Sequence, residues 1–368
     1  MNACRHILST LLLLVATAGS ASAQPQASWL ESSHDYGVIR EQDGKVHCTM
    51  RVTNRGNQPL FIVKAQAACG CTSVTYPEEA IMPGDTAAVN VTYNPSGRPG
   101  EFDKQVLIVT NAAPKRTVLH ITGNVIPTGA TLDKQYPLQA GSLRISQRYI
   151  PFGEIPRGQS KTLYLSVYNA STDSLLVTVQ GGKQHLRPAV VPDTVPPARV
   201  SALTVHYLAG QAPLWGLNTD TLTLTCQPTG GATTATAGSA DIEVMAQVVE
   251  SFDHLTAQQR ATAPVVSMDC GDRLDFGTMT KGQAASRTFT ITNRGKDPLA
   301  IRRLWVPQGE GVTLSTHPQQ LKHGKRAKVT VTVDTSLIPE HLLNVPLTII
   351  TNDPQTPRMT VRLVGIIN

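Results

Sequence analysis

The sequence has few charged and few aromatic residues, and after its N-terminal region it lacks any long apolar run. Charged residues make up 16% and aromatic residues 5% of the 368 residues. A charged fraction this far below the usual quarter excludes a disordered polyelectrolyte and a coiled coil. The formal net charge is +6, and we expect it to be spread along the chain, which gives nucleic-acid binding little support. No later segment approaches 18 uninterrupted apolar residues, so we expect no transmembrane segment in the mature protein.

Sequence motifs of the common enzyme classes are missing as well. The sequence contains no GxSxG, no HExxH, no GxxxxGK[ST] and no GxGxxG after a strand pattern. The ten histidines are scattered, and His34-Asp35 is interpreted as an ordinary surface pair. We therefore expect no catalytic residues, no enzymatic activity and no cofactor.

The N-terminal region has the pattern of a secretory signal peptide. Arg5 precedes the apolar run from Ile7 to Ala18, and Ala21-Ser22-Ala23 is a small-residue cleavage signature. We expect residues 1–23 to be removed, with Gln24 as the first mature residue. The mature protein is then exported, with the periplasm as the expected compartment and the cell surface or the medium as alternatives.

The remainder of the sequence contains one pattern three times. Each copy begins with an aromatic residue followed by glycine, and an asparagine lies 16 or 17 residues after that glycine. The glycines are 116 and 124 residues apart, so each copy is a whole domain and not a short solenoid repeat. We predict three domains, at 24–127, 141–250 and 264–368. The glycines are Gly37, Gly153 and Gly277, and the asparagines are Asn54, Asn169 and Asn293.

Apolar and polar residues alternate within each copy. Every second residue from Val46 to Val52 is apolar, and the segments around Leu165 and Phe289 alternate in the same way. This period of two is typical of half-buried β-strands, whereas a helix is favoured only in a short stretch between His254 and Ala263. About seven short strands per domain, separated by frequent turns, predict an all-β chain of three tandem immunoglobulin-like β-sandwiches.

Removal of the signal peptide leaves an odd number of cysteines, namely Cys48, Cys69, Cys71, Cys226 and Cys270. In an oxidising compartment at least one thiol must then stay free, pair between molecules or bind a ligand. Cys48 lies on the apolar face of its strand, where a buried, inert structural thiol is favoured over a reactive one. Cys226 and Cys270 could form a disulfide that fixes the angle between the second and third domains, or both could stay free.

The stretch Ala68-Cys69-Gly70-Cys71-Thr72 occurs only in the first copy, and the corresponding loops at 181–185 and 307–311 have no thiol. Three interpretations stay open for Cys69 and Cys71. They could form a disulfide because Gly70 permits a tight bend, although an extended tripeptide is near or beyond the usual Cα separation. They could instead offer two thiolates to a soft metal ion, although no further ligand motif accompanies them. Finally, both could be structural cysteines at the end of a sandwich.

Basic residues gather at Lys322, Lys325, Arg326 and Lys328. The simplest interpretation is a solvated hairpin, and the alternative is a binding patch for a polyanion such as a surface polysaccharide or a lipid headgroup. A nucleic-acid site would need interleaved aromatic residues, which are lacking there.

The first copy resembles a known family in the order of its motifs. After the Cys-Gly-Cys-Thr segment come Ile81-Met82-Pro83-Gly84 and Arg98-Pro99-Gly100-Glu101-Phe102. This order resembles the bacterial domain of unknown function 1573, which is related to the ASH/Hydin group of immunoglobulin-like domains. The resemblance is strong over 29–125 and partial, without the cysteines, over 273–367, while the middle copy departs furthest. It implies a secreted or periplasmic sandwich protein without an established activity, and the ASH-like relatives imply an adaptor or scaffold module.

These observations together predict a non-catalytic structural or interaction module of the bacterial cell envelope. We expect its partner to be an envelope protein or a glycan, and not a nucleic acid. The alternative function is that of a thiol-disulfide redox or soft-metal-binding protein that uses Cys69 and Cys71.

Overall fold

The computed structural model describes residues 24–230, 234–307, 311–315 and 319–368, so the predicted signal peptide lies outside the described residues. By its contacts the chain divides into two compact units, one ending at Gly129 and one from Ala130 to Asn368. The residues that the structure describes contain three separate clusters of buried apolar side chains, one in the first unit and two in the second. The predicted all-β fold of tandem immunoglobulin-like sandwiches is confirmed. The domain bounds 24–127, 141–250 and 264–368 stay a prediction.

The first sandwich packs two four-stranded sheets against each other. Its strands are β1 (Ala27–Trp29), β2 (Ser33–Arg40), β3 (Val46–Asn54), β4 (Ile62–Ala67), β5 (Thr72–Thr75), β6 (Thr86–Tyr93), β7 (Gly100–Thr110) and β8 (Arg116–Ile126). The sheets have the orders β1-β3-β6-β5 and β2-β8-β7-β4. The pairing of β2 with β8 is parallel, and the other pairs are antiparallel. The alternation predicted from the sequence directs Met50 and Val52 into the core, where neither is exposed.

The second sandwich follows the helix α1 (Gly129–Gln135). Its strands are β9 (Leu138–Ala140), β10 (Leu143–Ile145), β11 (Tyr149–Pro156), β12 (Ser160–Asn169), β13 (Leu175–Gln180), β14 (Leu186–Val191), β15 (Thr194–Val195), β16 (Val200–Leu208), β17 (Gly216–Pro228) and β18 (Gly238–Val249). The sheet orders are β14-β16-β12-β10-β9 and β11-β18-β17-β13-β15.

The third sandwich follows the helix α2 (Ala257–Thr262), which lies inside the stretch where the sequence favours a helix. Its strands are β19 (Val266–Met268), β20 (Arg273–Met279), β21 (Ala284–Asn293), β22 (Leu299–Trp305), β23 (Val312–Leu314), β24 (Gln320–Leu321), β25 (Arg326–Asp334), β26 (Leu342–Thr351) and β27 (Arg358–Ile367). The sheet orders are β19-β21-β25-β23 and β20-β27-β26-β22-β24.

The glycine that opens each copy lies at a β-bulge in the strand that pairs in parallel. In the first copy the register shifts between Asp35 and Val38, and Gly37 has a φ of 65°. The Asp35 carboxylate accepts a hydrogen bond of 2.9 Å from the Gly37 N–H. Because side-chain-bearing residues rarely adopt this left-handed conformation, the bulge explains the repeated glycine.

The repeated asparagine ties two distant turns together in each copy. Its side chain is fully buried, and its Nδ2 donates to one carbonyl four residues later and to another 26 to 28 residues later. The loop after one strand is thereby fixed to the segment that precedes a strand of the same sheet. The asparagines are Asn54, Asn169 and Asn293.

Candidate functional site at the sheet-crossing turns

The Cys-Gly-Cys segment carries the chain from one sheet of the first sandwich to the other. It connects β4, at the edge of one sheet, to β5, at the edge of the opposite sheet. Cys69 and Cys71 form a disulfide with a Cα–Cα distance of 5.3 Å, which lies within the ordinary range of about 4.4–6.8 Å. The structure therefore agrees with the first of the three open interpretations, in which Cys69 and Cys71 are joined by a disulfide.

Hydrogen bonds of the backbone hold this turn independently of the disulfide. The Thr72 N–H donates to the Cys69 carbonyl (3.3 Å), and the Asn94 N–H donates to the Cys71 carbonyl (2.9 Å). The Thr72 hydroxyl lies 3.6 Å from the Sγ atom of Cys69 and 3.7 Å from that of Cys71. Cys71 is buried at 6% exposure, while Cys69 is half-buried. A thiol from another molecule would therefore meet Cys69 first.

The turn does not need a glycine at position 70, although the sequence suggests that Gly70 permits the tight bend. It is not among the residues with a left-handed φ, and a Cβ placed on it would meet nothing within 4 Å. The expectation that the bend depends on glycine is therefore wrong, because the backbone conformation at this position is open to other residues.

Cys48 lies in the core of the first sandwich at 8% exposure. Burial raises the pKa of its thiol, outweighing the opposite effect of a hydrogen bond with Tyr36. A thiol with a raised pKa is protonated at neutral pH and is a poor nucleophile.

The disulfide between Cys226 and Cys270 is absent, and both residues are free thiols. Cys226 points into the core of the second sandwich, where it is 1% exposed and its Sγ donates to the Ala140 carbonyl at 3.0 Å. Cys270 is half-buried in the third sandwich. The suggestion that these two residues bridge the domains was wrong because the Cys226 side chain faces its own core.

Arginine side chains connect the second and third sandwiches instead. The Arg302 guanidinium lies 4.9 Å from the ring centroid of Trp215 and forms an ion pair of 2.9 Å with Glu250. Arg303 donates from Nη1 to the carbonyls of Trp215 and Leu217, each at 2.9 Å. These contacts, which we call the Trp215 junction, join the two sandwiches within one compact unit.

The second sandwich has a cross-linked turn at the same place, and sequence reasoning missed it. Thr72 pairs with Tyr93 in the first sandwich, and Leu186 pairs with Tyr207 in the second. Lys183 and His185 thus correspond to Cys69 and Cys71, so the loop comparison made on the sequence was one residue out of register. The two equivalent residues of the third sandwich are Gly309, which lies outside the described residues, and Gly311.

Lys183 and His185 both bind the carboxylate of Asp220. The Lys183 Nζ lies 2.6 Å from one oxygen and the His185 Nε2 lies 2.8 Å from the other. Asp220 is 5% and His185 4% exposed. Burial by itself would raise the pKa of Asp220, but the hydrogen bonds and charges of Lys183 and His185 outweigh it and lower the pKa below its ordinary value of 3.8. The sequence held one signal for this cross-linked turn: Lys183 and His185 are two residues apart, as Cys69 and Cys71 are.

The predicted basic cluster covers the turn between β24 and β25 and the first residues of β25. Lys322, Lys325, Arg326 and Lys328 are all exposed there. The described residues contain no group of three or more His, Cys, Asp or Glu side chains that could hold a metal ion. In the described part of the chain, no helix has both the length and the apolar character needed to cross a membrane.

Comparison with known proteins identifies two segments of the chain. Residues 27–125 match the model of a family described as a protein of unknown function (DUF1573). Residues 264–365 match that of a HYDIN/CFA65/VesB-like Ig-like domain. None of the curated proteins matches the chain.

Among solved structures, a protein of unknown function from Porphyromonas gingivalis W83 is 19% identical. That match covers 61% of this chain and 100% of the other, with a TM-score of 0.45. The ASH / PapD-like domain 7 of human CEP192 is 12% identical over 31% of this chain and 92% of the other, with a TM-score of 0.26. The two family matches confirm the resemblance that the sequence predicts. Residues 27–125 resemble the DUF1573 family, and residues 264–365 resemble the Hydin-like immunoglobulin domains.

Proposed function

We propose that the protein is an exported, non-catalytic interaction module of the bacterial cell envelope. The observation that carries this proposal is the Trp215 junction, in which Arg302 and Arg303 of the third sandwich bind backbone and side-chain groups of the second. A junction with an ion pair, a cation–π contact and two backbone hydrogen bonds holds two sandwiches together. A scaffold needs its binding surfaces at fixed positions, and the junction fixes the surfaces of the second and third sandwiches relative to each other. The two family matches add support by analogy of fold.

Export is supported by two features of different kinds. The sequence has a signal-peptide pattern at residues 1–23. The described structure contains the Cys69–Cys71 disulfide, and disulfides persist in oxidising compartments such as the bacterial periplasm.

The test is chemical cross-linking of the tagged protein in cells that naturally produce it. The wild-type protein is compared with the double variant Trp215→Leu, Arg302→Met, which retains apolar bulk. It removes the ion pair of Arg302 and the cation–π contacts that Arg302 and Arg157 make with the Trp215 ring. The control is Tyr164→Leu, which changes an aromatic side chain that is 69% exposed on β12. We expect a reproducible cross-linked partner with the wild type and the control, and a clear loss of it with the junction variant. Equal recovery of the partner with all three proteins would remove the support that the junction gives.

A second candidate function, thiol-disulfide exchange, is favoured by the half-buried position of Cys69 within the disulfide. The thiolate of a reduced dithiol would attack the Cys69 Sγ, forming a mixed disulfide and releasing the Cys71 thiolate, which takes up a proton. The second thiol of the donor, losing its proton, would then displace Cys69 as a thiol. The protein disulfide gains two electrons, and the dithiol is oxidised to its own disulfide.

This second function is tested by titration of the native protein with a dithiol, followed by alkylation and mass spectrometry. Exchange predicts that Cys69 and Cys71 are alkylated while the near-ultraviolet circular dichroism is unchanged. Protection of both cysteines until the protein is denatured would exclude exchange and leave a structural disulfide.

A further inference from the structure

The positive charge of the mature sequence is confined to the third sandwich. Residues 264–368 contain 13 Lys and Arg against 8 Asp and Glu, whereas residues 24–263 contain 18 of each kind. The expectation that the charge is spread along the chain is therefore wrong. A whole-chain value of +6 conceals a neutral segment joined to a basic one.

Within the third sandwich the cations of two neighbouring turns come together. The turn between β24 and β25, together with the first residues of β25, carries the predicted basic cluster. The loop after β21 adds Arg294 and Lys296, which are also exposed. The Gly324 N–H donates to the Asn293 carbonyl at 2.9 Å, and the His323 Nδ1 lies 2.7 Å from the Gly295 carbonyl oxygen. These contacts hold the two turns side by side. We call the resulting surface the basic end, which consists of Arg294, Lys296, Lys322, Lys325, Arg326 and Lys328.

The two carboxylates beside the basic end, those of Asp269 and Asp297, accept hydrogen bonds from uncharged groups. In the part of the chain that the structure describes, none of its six cations belongs to an ion pair. Asp297 accepts a hydrogen bond of 2.8 Å from the Thr262 hydroxyl, and Asp269 accepts one of 2.7 Å from the Thr290 N–H. That backbone hydrogen bond is the main reason why the pKa of Asp269 is lowered, and the charge of Arg326 contributes less. Like charges on one surface repel each other, and a bound anion would relieve that repulsion.

The first sandwich shows that the fold itself does not require these charges. Its equivalent turn has the same backbone hydrogen bonds, from the Gly84 N–H to the Asn54 carbonyl (2.8 Å) and from the Asp85 N–H to the Met82 carbonyl (2.9 Å). In the third sandwich the matching bond from the Lys325 N–H to the Lys322 carbonyl is 3.0 Å. The register of the strands makes Met82, Asp85, Thr86 and Ala88 the equivalents of Lys322, Lys325, Arg326 and Lys328. One turn thus exists in a basic and a non-basic form within one chain.

We propose that the basic end is a binding site for an anionic polysaccharide. This proposal rests on the proposed function, because it specifies one class of partner for the interaction module. A membrane surface is disfavoured because the exposed large apolar side chains of the described third sandwich, Leu337, Leu342 and Ile366, lie outside the basic end. A single-stranded nucleic acid is disfavoured because its binding sites use aromatic side chains for stacking, and the basic end has none. Exposed lysine and arginine side chains on two adjoining turns suit the carboxylate, sulfate or phosphate groups of a flexible glycan.

The experiment measures binding of the full mature chain to heparin, a highly sulfated polysaccharide, as the probe. The site variant is Lys322→Ser, Lys325→Ser, Arg326→Ser, Lys328→Ser. The control variant also removes four positive charges, but from exposed positions of the first sandwich: Lys45→Ser, Lys64→Ser, Lys115→Ser, Arg116→Ser. Near-ultraviolet circular dichroism verifies that both variants remain folded. At about 0.15 M salt we expect the site variant to lose affinity by roughly tenfold or more, with a shallower salt dependence, and the control to stay within about twofold of the wild type.

Any one of four outcomes would overturn the proposal. The site variant could bind heparin as the wild type does, or the control variant could lose as much affinity as the site variant, so that net charge alone decides. The wild type could also bind phosphatidylglycerol vesicles but not heparin, which would assign the surface to lipid headgroups. Absence of heparin binding together with retained protein cross-links would overturn this site alone. Loss of the cross-links with heparin binding intact would overturn the protein-partner part of the proposed function alone.

Discussion

His185 stands in the second sandwich where Cys71 stands in the first, one residue before the strand position that pairs with a buried tyrosine. Two residues earlier, Lys183 and Cys69 correspond in the same way. A covalent bond joins the two positions in the first sandwich, whereas in the second both side chains bind the carboxylate of Asp220. The same sheet-crossing turn is therefore cross-linked by two unrelated chemistries, and neither of them is a requirement of the fold.

Removal of the disulfide should cost little stability. Cys69→Ser with Cys71→Ser opens a closed loop of only three residues, for which the chain-entropy relation gives a loss of about 1.6 kcal/mol. The backbone hydrogen bonds at Thr72 and Asn94 stay in place. Urea unfolding of the full chain, followed by near-ultraviolet circular dichroism, measures the change. The wild type in reductant serves as the control, since it should lose a similar amount, and a loss of folded structure in either sample would contradict the prediction.

Removal of the Asp220 carboxylate should cost more than removal of one of its partners. Asp220→Asn leaves the buried imidazole of His185 and the ammonium of Lys183 without their anion, and we expect a loss of about 3 kcal/mol or more. Lys183→Met should cost about 1 kcal/mol or less, because the Lys183 side chain is 55% exposed and water can replace the carboxylate. Denaturant titration of the two variants in parallel tests the order. Equal losses would show that the carboxylate is not the centre of this cluster.

The same carboxylate predicts a loss of stability in acid. Lys183 and His185 lower the pKa of Asp220 in the folded state below its ordinary value of 3.8. The ionised carboxylate therefore contributes stability that is fully present above that ordinary value and is lost as the pH falls through the folded pKa. We expect the difference in Tm between the wild type and Asp220→Asn to shrink as the pH falls below about 4. A difference that stays unchanged down to pH 2 would contradict the assignment.

The sequence predicted the strands and the sandwich fold because these depend on local alternation of apolar and polar residues. It also showed the repeated Gly37 and Asn54, but not their roles, because the second acceptor of the asparagine lies 27 residues away. The bulge at Gly37 likewise depends on pairing with β8, which is distant in sequence.

The sequence failed where side chains from distant segments meet. His185 and Asp220 are 35 residues apart, and only the register of the strands places Lys183 and His185 where the first copy has its cysteines. The proposed bridge between Cys226 and Cys270 was wrong because a count of thiols does not show that the Cys226 side chain faces the core of its own sandwich. The basic end was found only in part, because two of its cations come from a loop almost thirty residues earlier.

Glycine substitutions should separate a replaceable glycine from a required one. Gly70→Ala in the Cys-Gly-Cys turn should change stability by less than about 0.5 kcal/mol, since the added Cβ would meet nothing within 4 Å and the φ is not left-handed. Gly295→Ala should destabilise the protein strongly, since its Cβ would lie 2.2 Å from the Ala263 carbonyl oxygen and 2.5 Å from the Val265 nitrogen. Because both of these neighbours are backbone atoms, the clash can be relieved only by moving the chain. Thermal unfolding of the two variants beside the wild type measures both effects, and a Gly70→Ala variant as unstable as Gly295→Ala would show that the disulfide turn depends on glycine after all.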